Sequence, residues 1–161
     1  MDADDAALLA ELKYEIDSLY VSTEMVLSPD YKAHPLDSFL LEVCLLHFRA
    51  VWDFSYADDG DGKLNIHHFL AKNVIRTSRP KVSRRLSDIR KWLNVMLAHL
   101  SRSRIDAKKK AGQITRADVV LMREQTEALF KGFVGGLSET HKAAFVNPLA
   151  RKFIHFTTLL H

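Results

Sequence analysis

The chain has 161 residues, 47% hydrophobic and 27% charged, with a formal net charge of +3; this is the size and composition of a globular domain that can bury a core unaided. A single cysteine, Cys44, excludes an internal disulfide. No uncharged run is long enough for a membrane span, and the acidic start MDADDAALLAEL is unlike a signal peptide, so a cytoplasmic protein with no membrane contact is expected.

Six glycines and four prolines are few, so turns should be scarce and elements long, which favours helices. The expectation is an all-α, up-and-down bundle of four long helices plus a short C-terminal one, with residues 1–161 as one domain. Asp2 to Leu27 reads as the first helix, with Leu8, Leu12, Ile16, Leu19, Thr23 and Val26 in one stripe and Leu9, Tyr20 and Leu27 beside it. Its early aspartates suit the positive end of the helix dipole. Ser28-Pro29-Asp30 breaks it.

Pro35 to Tyr56 reads as the second helix, with Pro35 in the first turn. It is apolar nearly all round, which requires an enclosed position or a dimer seam. Only a thin polar line remains: Ser38, Glu42, Arg49 and Asp53. Arg49 and Asp53 are one turn apart and can pair. The line is either a solvated strip or the wall of a polar cleft.

Ala57 to Lys72 mimics an EF-hand loop but lacks the carboxylates required at its first and last positions. It reads as an acidic turn leading into a short Leu64–Ala71 element. Asn73 to Lys81 reads as a basic loop. Ser83 to Arg104 reads as one helix with Leu86, Ile89, Leu93, Met96, Leu97 and Leu100 as its stripe. A second basic connection follows, ending in Lys108, Lys109 and Lys110. Thr115 to Leu137 is the fourth long helix, opened by a Thr115–Asp118 capping box, with its end frayed by Gly135-Gly136. Ser138 begins a short last helix, and the tail FIHFTTLLH is apolar enough to dock.

Charge is unevenly spread along these elements. Residues 1–71 hold 4 Lys/Arg against 14 Asp/Glu, a balance of −10, and residues 72–116 hold 14 against 2, a balance of +12. Either the acidic part neutralises the basic middle, or the basic middle is a surface for a polyanion such as RNA.

There is no glycine-rich phosphate loop, no cysteine pair and no HExxH, so no cofactor or metal is expected. What remains is histidine and arginine on helices. His47 lies about 140° from Glu42 on the second helix, and as a core histidine it would bond backbone or a carboxylate. A zinc site drawing on His47, His67 or His68, and His99 lacks ligating i, i+4 spacing.

Asn94-x4-His99, written NVMLAH and followed by Leu100-Ser101 and Arg104, resembles the [Arg/Asn]-x4-6-His signature of HEPN proteins. The stretch LDSFLLEVCLLHFRAVWDF resembles the second helix of small bacterial HEPN-like proteins, with His47, Arg49, Asp53 and Phe54 in the His-x-Arg-x-x-x-Asp/Glu-Phe pattern. The resemblance implies a helical bundle, usually a homodimer. It also implies a metal-independent ribonuclease of a toxin–antitoxin, phage-defence or RNA-processing system, or a non-catalytic member that binds a nucleotide, RNA or a protein partner. In the catalytic members the arginine and histidine of the motif act on the scissile phosphate. Here Asn94 stands at the arginine position, and Arg90 is the nearest arginine upstream. The catalytic candidates are therefore His99, Asn94 and Arg90.

The residues themselves allow this chemistry. His99 can carry a proton near neutral pH. Arg84, Arg85, Arg90, Arg102 and Arg104 can face phosphate oxygens, and Lys108, Lys109 and Lys110 add to that surface. Asn94 and His99 are about 140° apart on an ideal helix. They converge only on a ligand that wraps this edge, or with help from a second subunit. Glu42, His47, Arg49 and Asp53 are the second-helix candidates. A third reading makes the protein a structural dimer with His47 and His99 in its core.

Overall fold

The computed structural model describes residues 3–29, 35–56, 65–98 and 114–146. All regular structure among them is helical: α1 (Ala3–Leu27), α2 (Pro35–Tyr56), a 3₁₀ turn (Ile66–His68), α3 (Lys72–Ser78), α4 (Arg84–Ala98), α5 (Arg116–Gly136) and α6 (Glu139–Val146). The four long helices and the short C-terminal one expected from the sequence are present. The EF-hand-like segment 57–64 lies outside the described residues. No helix among the described residues is long and apolar enough to cross a membrane.

α1 buries Leu9, Leu12, Ile16, Leu19, Thr23 and Val26. It runs antiparallel to α2, as the Glu15–His47 and Ser22–Cys44 contacts show. It also runs antiparallel to α5. Arg123 pairs with Glu24, and Arg116 donates from Nη2 to the carbonyls of Leu27 and Ser28. α1 has no basic residue in its own last turn, so a neighbouring helix supplies the cation that its exposed carbonyls favour.

α2 takes the enclosed position. Cys44, Leu45, Phe48, Val51, Trp52, Phe54 and Ser55 are buried against α1, α4 and α5. Leu46, by contrast, is exposed. Burial pushes the Cys44 thiol up to about 11. An aromatic cluster closes the other end. Phe133 on α5 meets Phe54 of α2, Phe69 after the 3₁₀ turn and Phe145 of α6, with centroids 5.5, 6.1 and 5.6 Å away; such edge-on contacts add to simple area burial.

One expectation is corrected. Residues 72–78 form α3, not a loop, because α5 offers them a notch. A Cβ on Gly132 would lie 2.3 Å from the Ser78 carbonyl oxygen, and one on Gly136 would lie 2.7 Å from Val74 Cγ1. The α3 backbone therefore sits directly on α5, and Ile75 is buried behind it. α5 ends at Gly136, with Leu137 as its C-cap, and Val74 and Leu70 pack against that glycine.

Gly132→Ala should lower stability by about 1–3 kcal/mol, the usual cost of overpacking against a backbone that cannot yield. Gly135, whose Cβ would meet nothing within 4 Å, should behave oppositely. Gly135→Ala should gain about 0.5–1 kcal/mol from helix propensity. Urea denaturation of both variants reads the difference; equal effects would remove the notch as the reason for α3.

Candidate functional site on α4

α4 buries Leu86, Ile89 and Leu93 completely. Arg85 and Arg90 are five residues apart, which places them about 140° apart around the helix. They leave opposite flanks of that apolar ridge and reach different neighbours.

On one flank Arg85 meets α5. Its Nε donates to Asp118 Oδ1 at 2.7 Å and its Nη2 to Oδ2 at 2.6 Å, while its guanidinium lies 4.9 Å over the Trp92 ring. Asp118 also accepts from the Thr115 backbone and hydroxyl, completing the capping box. Its side chain is only 7% exposed. The Arg85 guanidinium, reinforced by Thr115, holds the Asp118 carboxyl at about 2 against the opposing effect of burial. Arg85 is thus bound into the fold, whereas its neighbour Arg84 is exposed to solvent.

On the other flank Arg90 meets α2. Its Nη2 donates to Asp53 Oδ1 at 2.6 Å, and Arg49 Nε stands 3.6 Å from Asp53 Oδ2. The Arg49–Asp53 proximity expected one turn apart is present, and it extends to a third residue. Two guanidiniums share one carboxylate, which leaves a net positive charge in the seam between α2 and α4. One turn after Arg90 stands Asn94. Arg90 Nε and Asn94 Oδ1 are both buried without a hydrogen-bond partner. An unmet buried donor or acceptor costs about 1–3 kcal/mol, so the seam holds an unused donor and an unused acceptor beside its charge. Leu46, 48% exposed, lies on the same line of α2 as Glu42, Arg49 and Asp53. Glu42 sits two turns before Arg49, half-buried, and makes no ion pair with any described residue. The polar line of α2 is therefore partly the wall of a seam.

The histidines face elsewhere. His47 Nδ1 is 2.7 Å from Glu15 Oε2, and its ring meets Tyr14 edge-on, so it belongs to the α1–α2 contact. His68 Nε2 and His141 Nε2 flank the two oxygens of Asp5 at 2.9 and 3.5 Å. The His68 hydrogen bond, with the His141 ring nearby, holds the Asp5 carboxyl below its ordinary range. His67 Nε2 lies 3.4 Å from Arg79 Nη2. No group of three metal-ligating side chains forms among the described residues. His99, Arg102, Arg104, Lys108, Lys109 and Lys110 lie outside the described residues.

A narrow cavity between α1, α2 and α5 is lined by Leu12, Ile16, Val51, Phe54, Leu129 and Phe133. The hydroxyls there, Ser55 and Thr126, bond the carbonyls of Val51 and Met122 in their own helices. It is a packing void and offers a ligand no polar contact. The chain matches no protein-family model, no curated protein and no solved structure.

Sequence reasoning found the members of the seam and the Arg49–Asp53 pair, but not the partners of Arg85 and Arg90. Nothing local to Arg85 or Arg90 marks an acid 33 or 37 residues away. A surplus of arginines on a helix with a single acid, Asp88, was the one available signal that some arginines have distant partners.

The Asp118 carboxyl sets a pH dependence. Its pKa is depressed in the folded chain, so its contribution is complete above the unfolded value near 3.9 and is lost as pH falls towards about 2. That contribution is roughly 2 kcal/mol. Melting temperature of the wild type should fall between about pH 5 and 2 more steeply than that of Asp118→Asn. Parallel curves would show that the pair does not stabilise the fold.

Proposed function

We propose that this chain is a HEPN-like helical bundle that binds RNA and holds a backbone phosphate at the α2–α4 seam. One observation carries the reading: Asp53 gathers Arg49 and Arg90, while Arg90 Nε and Asn94 Oδ1 beside them have no partner. Guanidinium groups form the strongest protein hydrogen bonds to phosphate oxygens, and an asparagine amide orients a neighbouring oxygen or hydroxyl. In this reading Asp53 fixes Arg90 and Arg49 in place, a phosphate oxygen accepts from Arg90 Nε, and a ribose hydroxyl donates to Asn94 Oδ1. His99, five residues beyond Asn94, is the proton carrier for cleavage where cleavage occurs. The protein acts in the cytoplasm as a homodimer, as the HEPN resemblance implies, in a toxin–antitoxin or phage-defence setting.

Asn94 at the arginine position of the motif favours a second reading, RNA binding without cleavage. An asparagine cannot offset developing negative charge as a guanidinium can.

Both readings are tested with labelled single-stranded RNA in EDTA at about 50 mM salt, a concentration at which phosphate contacts are strong. Wild-type protein should bind. Arg90→Ala should weaken binding roughly 10- to 100-fold, the loss of one charged hydrogen-bonding group, with Arg49→Ala affected less. Cleavage that disappears in His99→Ala identifies a ribonuclease; binding retained in His99→Ala with no cleavage by the wild type identifies the non-catalytic module. Wild-type protein that binds no RNA removes the proposal. Sedimentation equilibrium on the same samples gives the oligomeric state of the binding species.

A further inference from the structure

The exposed large apolar side chains of the described residues are Tyr14, Val21, Met25, Leu46 and Val120, and four of these five lie on one face. On α1, Tyr14, Val21 and Met25 are spaced seven and four residues apart, within about 40° of arc. On α2, Leu46 is joined by the half-buried Val43 and Ala50, spaced three and four residues apart, within about 60°. Glu15 and Ser22 of α1 face His47 and Cys44 of α2. The buried Leu12, Leu19, Phe48 and Ser55 fall on one side of that contact line, and both exposed stripes fall on the other. The register of those contacts sets Val21 level with Val43, and Tyr14 level with Ala50. The outer side of the α1–α2 pair is thus one apolar surface, of the kind that marks an interaction site.

Charge selects the partner. Val43, Leu46 and Ala50 have the spacing of a coiled-coil seam, and Glu42 and Arg49 each stand one residue before a seam position. The two carry opposite signs on one flank of the helix, yet lie about 10 Å apart along its axis. Arg49 Nε stands 3.6 Å from Asp53 Oδ2, beyond hydrogen-bond reach, while Arg90 takes the other oxygen at 2.6 Å. A two-fold axis at Leu46, running a second α2 antiparallel to the first, brings the opposite charges together. It places residue 42 of one copy opposite residue 50 of the other. Glu42 and Arg49 of different copies then come within about 1.5 Å of level on the same flank, twice over. The same axis sets Val21 of one α1 beside Tyr14 of the other. A parallel pairing would instead set Glu42 against Glu42 and Arg49 against Arg49.

We infer that this face is the interface of a two-fold homodimer, with Leu46 at its centre and Glu42 of each copy paired with Arg49 of the other. An isologous interface needs a patch that complements itself, and charges flanking an apolar seam fix the orientation of its helices. This dimer rests on the homodimeric reading above and gives it a surface. It also reaches the α2–α4 seam, because the second copy contributes Glu42 to the cluster of Arg49, Asp53 and Arg90. Arg49 then bridges the two copies, and Arg90 with Asn94 is left to the phosphate and ribose.

The test is sedimentation equilibrium of the full chain over a wide concentration range, with circular dichroism read on every protein. Wild type should be a dimer. Leu46→Glu should keep its helical content and weaken association roughly 100-fold or more. Glu42→Arg alone and Arg49→Glu alone each bring like charges together at two places, and each should weaken it about 10-fold. The combined Glu42→Arg, Arg49→Glu chain should return to within about threefold of wild type. Mixing the two single variants should give a heterodimer, because one chain then carries two cations and the other two anions. Should Arg49→Glu not fold, Leu46→Glu and Glu42→Arg carry the test. A wild type that stays monomeric overturns the interface, and one whose Leu46→Glu variant also melts lower has a segment of its own chain on this face. A dimer indifferent to Leu46→Glu and to the charge reversals uses another face and overturns it as well. Labelled single-stranded RNA added to the same samples separates the two readings. A monomeric wild type that binds RNA overturns the interface alone, and a dimer that responds as expected but binds no RNA overturns the RNA reading alone.

Discussion

The position of α4 depends on two arginine–carboxylate contacts that pull in different directions. Arg85 ties it to the first turn of α5 through Asp118, and Arg90 ties it to the last turn of α2 through Asp53. Between them the buried ridge of Leu86, Ile89 and Leu93 supplies the apolar contact. The ridge alone would hold the helix to the bundle but would fix its rotation weakly, since hydrophobic contact is non-directional. The two ion pairs, 140° apart, are directional and set that rotation. The seam follows from that rotation: it sets Arg90 against Asp53, with Asn94 one turn further along the same side of α4.

The glycines of α5 play the equivalent part for α3. A seven-residue helix has little stability of its own, and Ala71 gives it no side-chain cap. It persists because Gly132 lets the Ser78 backbone approach α5 closely and Gly136, one turn on, makes room for the Val74 side chain, with Ile75 buried. The arrangement converts a basic stretch that could have been an irregular loop into a rigid edge with its cations on one side.

The fold was largely legible in the sequence because its signals are local. The apolar period of α1, the dense apolar surface of α2, and the Thr115–Asp118 box before α5 all act within a few residues. α3 was not legible, since its cause lies more than 50 residues away in Gly132 and Gly136. The site was half legible. Arg49, Asp53, Arg90 and Asn94 stand out by type and register, but a sequence does not reveal which of several arginines finds which acid. Arg84 and Arg85 are identical in composition and adjacent in the chain. One is exposed and the other is held by a buried carboxylate, a difference produced only by helix rotation.

Cys44 has a consequence of a practical kind. It is the chain's sole cysteine, fully buried, with its thiol raised to about 11 and hydrogen-bonded to Ser22. At neutral pH almost none of it is thiolate, the form that reacts. Any association between folded copies is therefore held by contacts alone and should reverse on dilution. A cysteine introduced at the surface would be the one reactive sulfur on the molecule, so a fluorophore can be placed at a chosen helix without first removing the native thiol from the core.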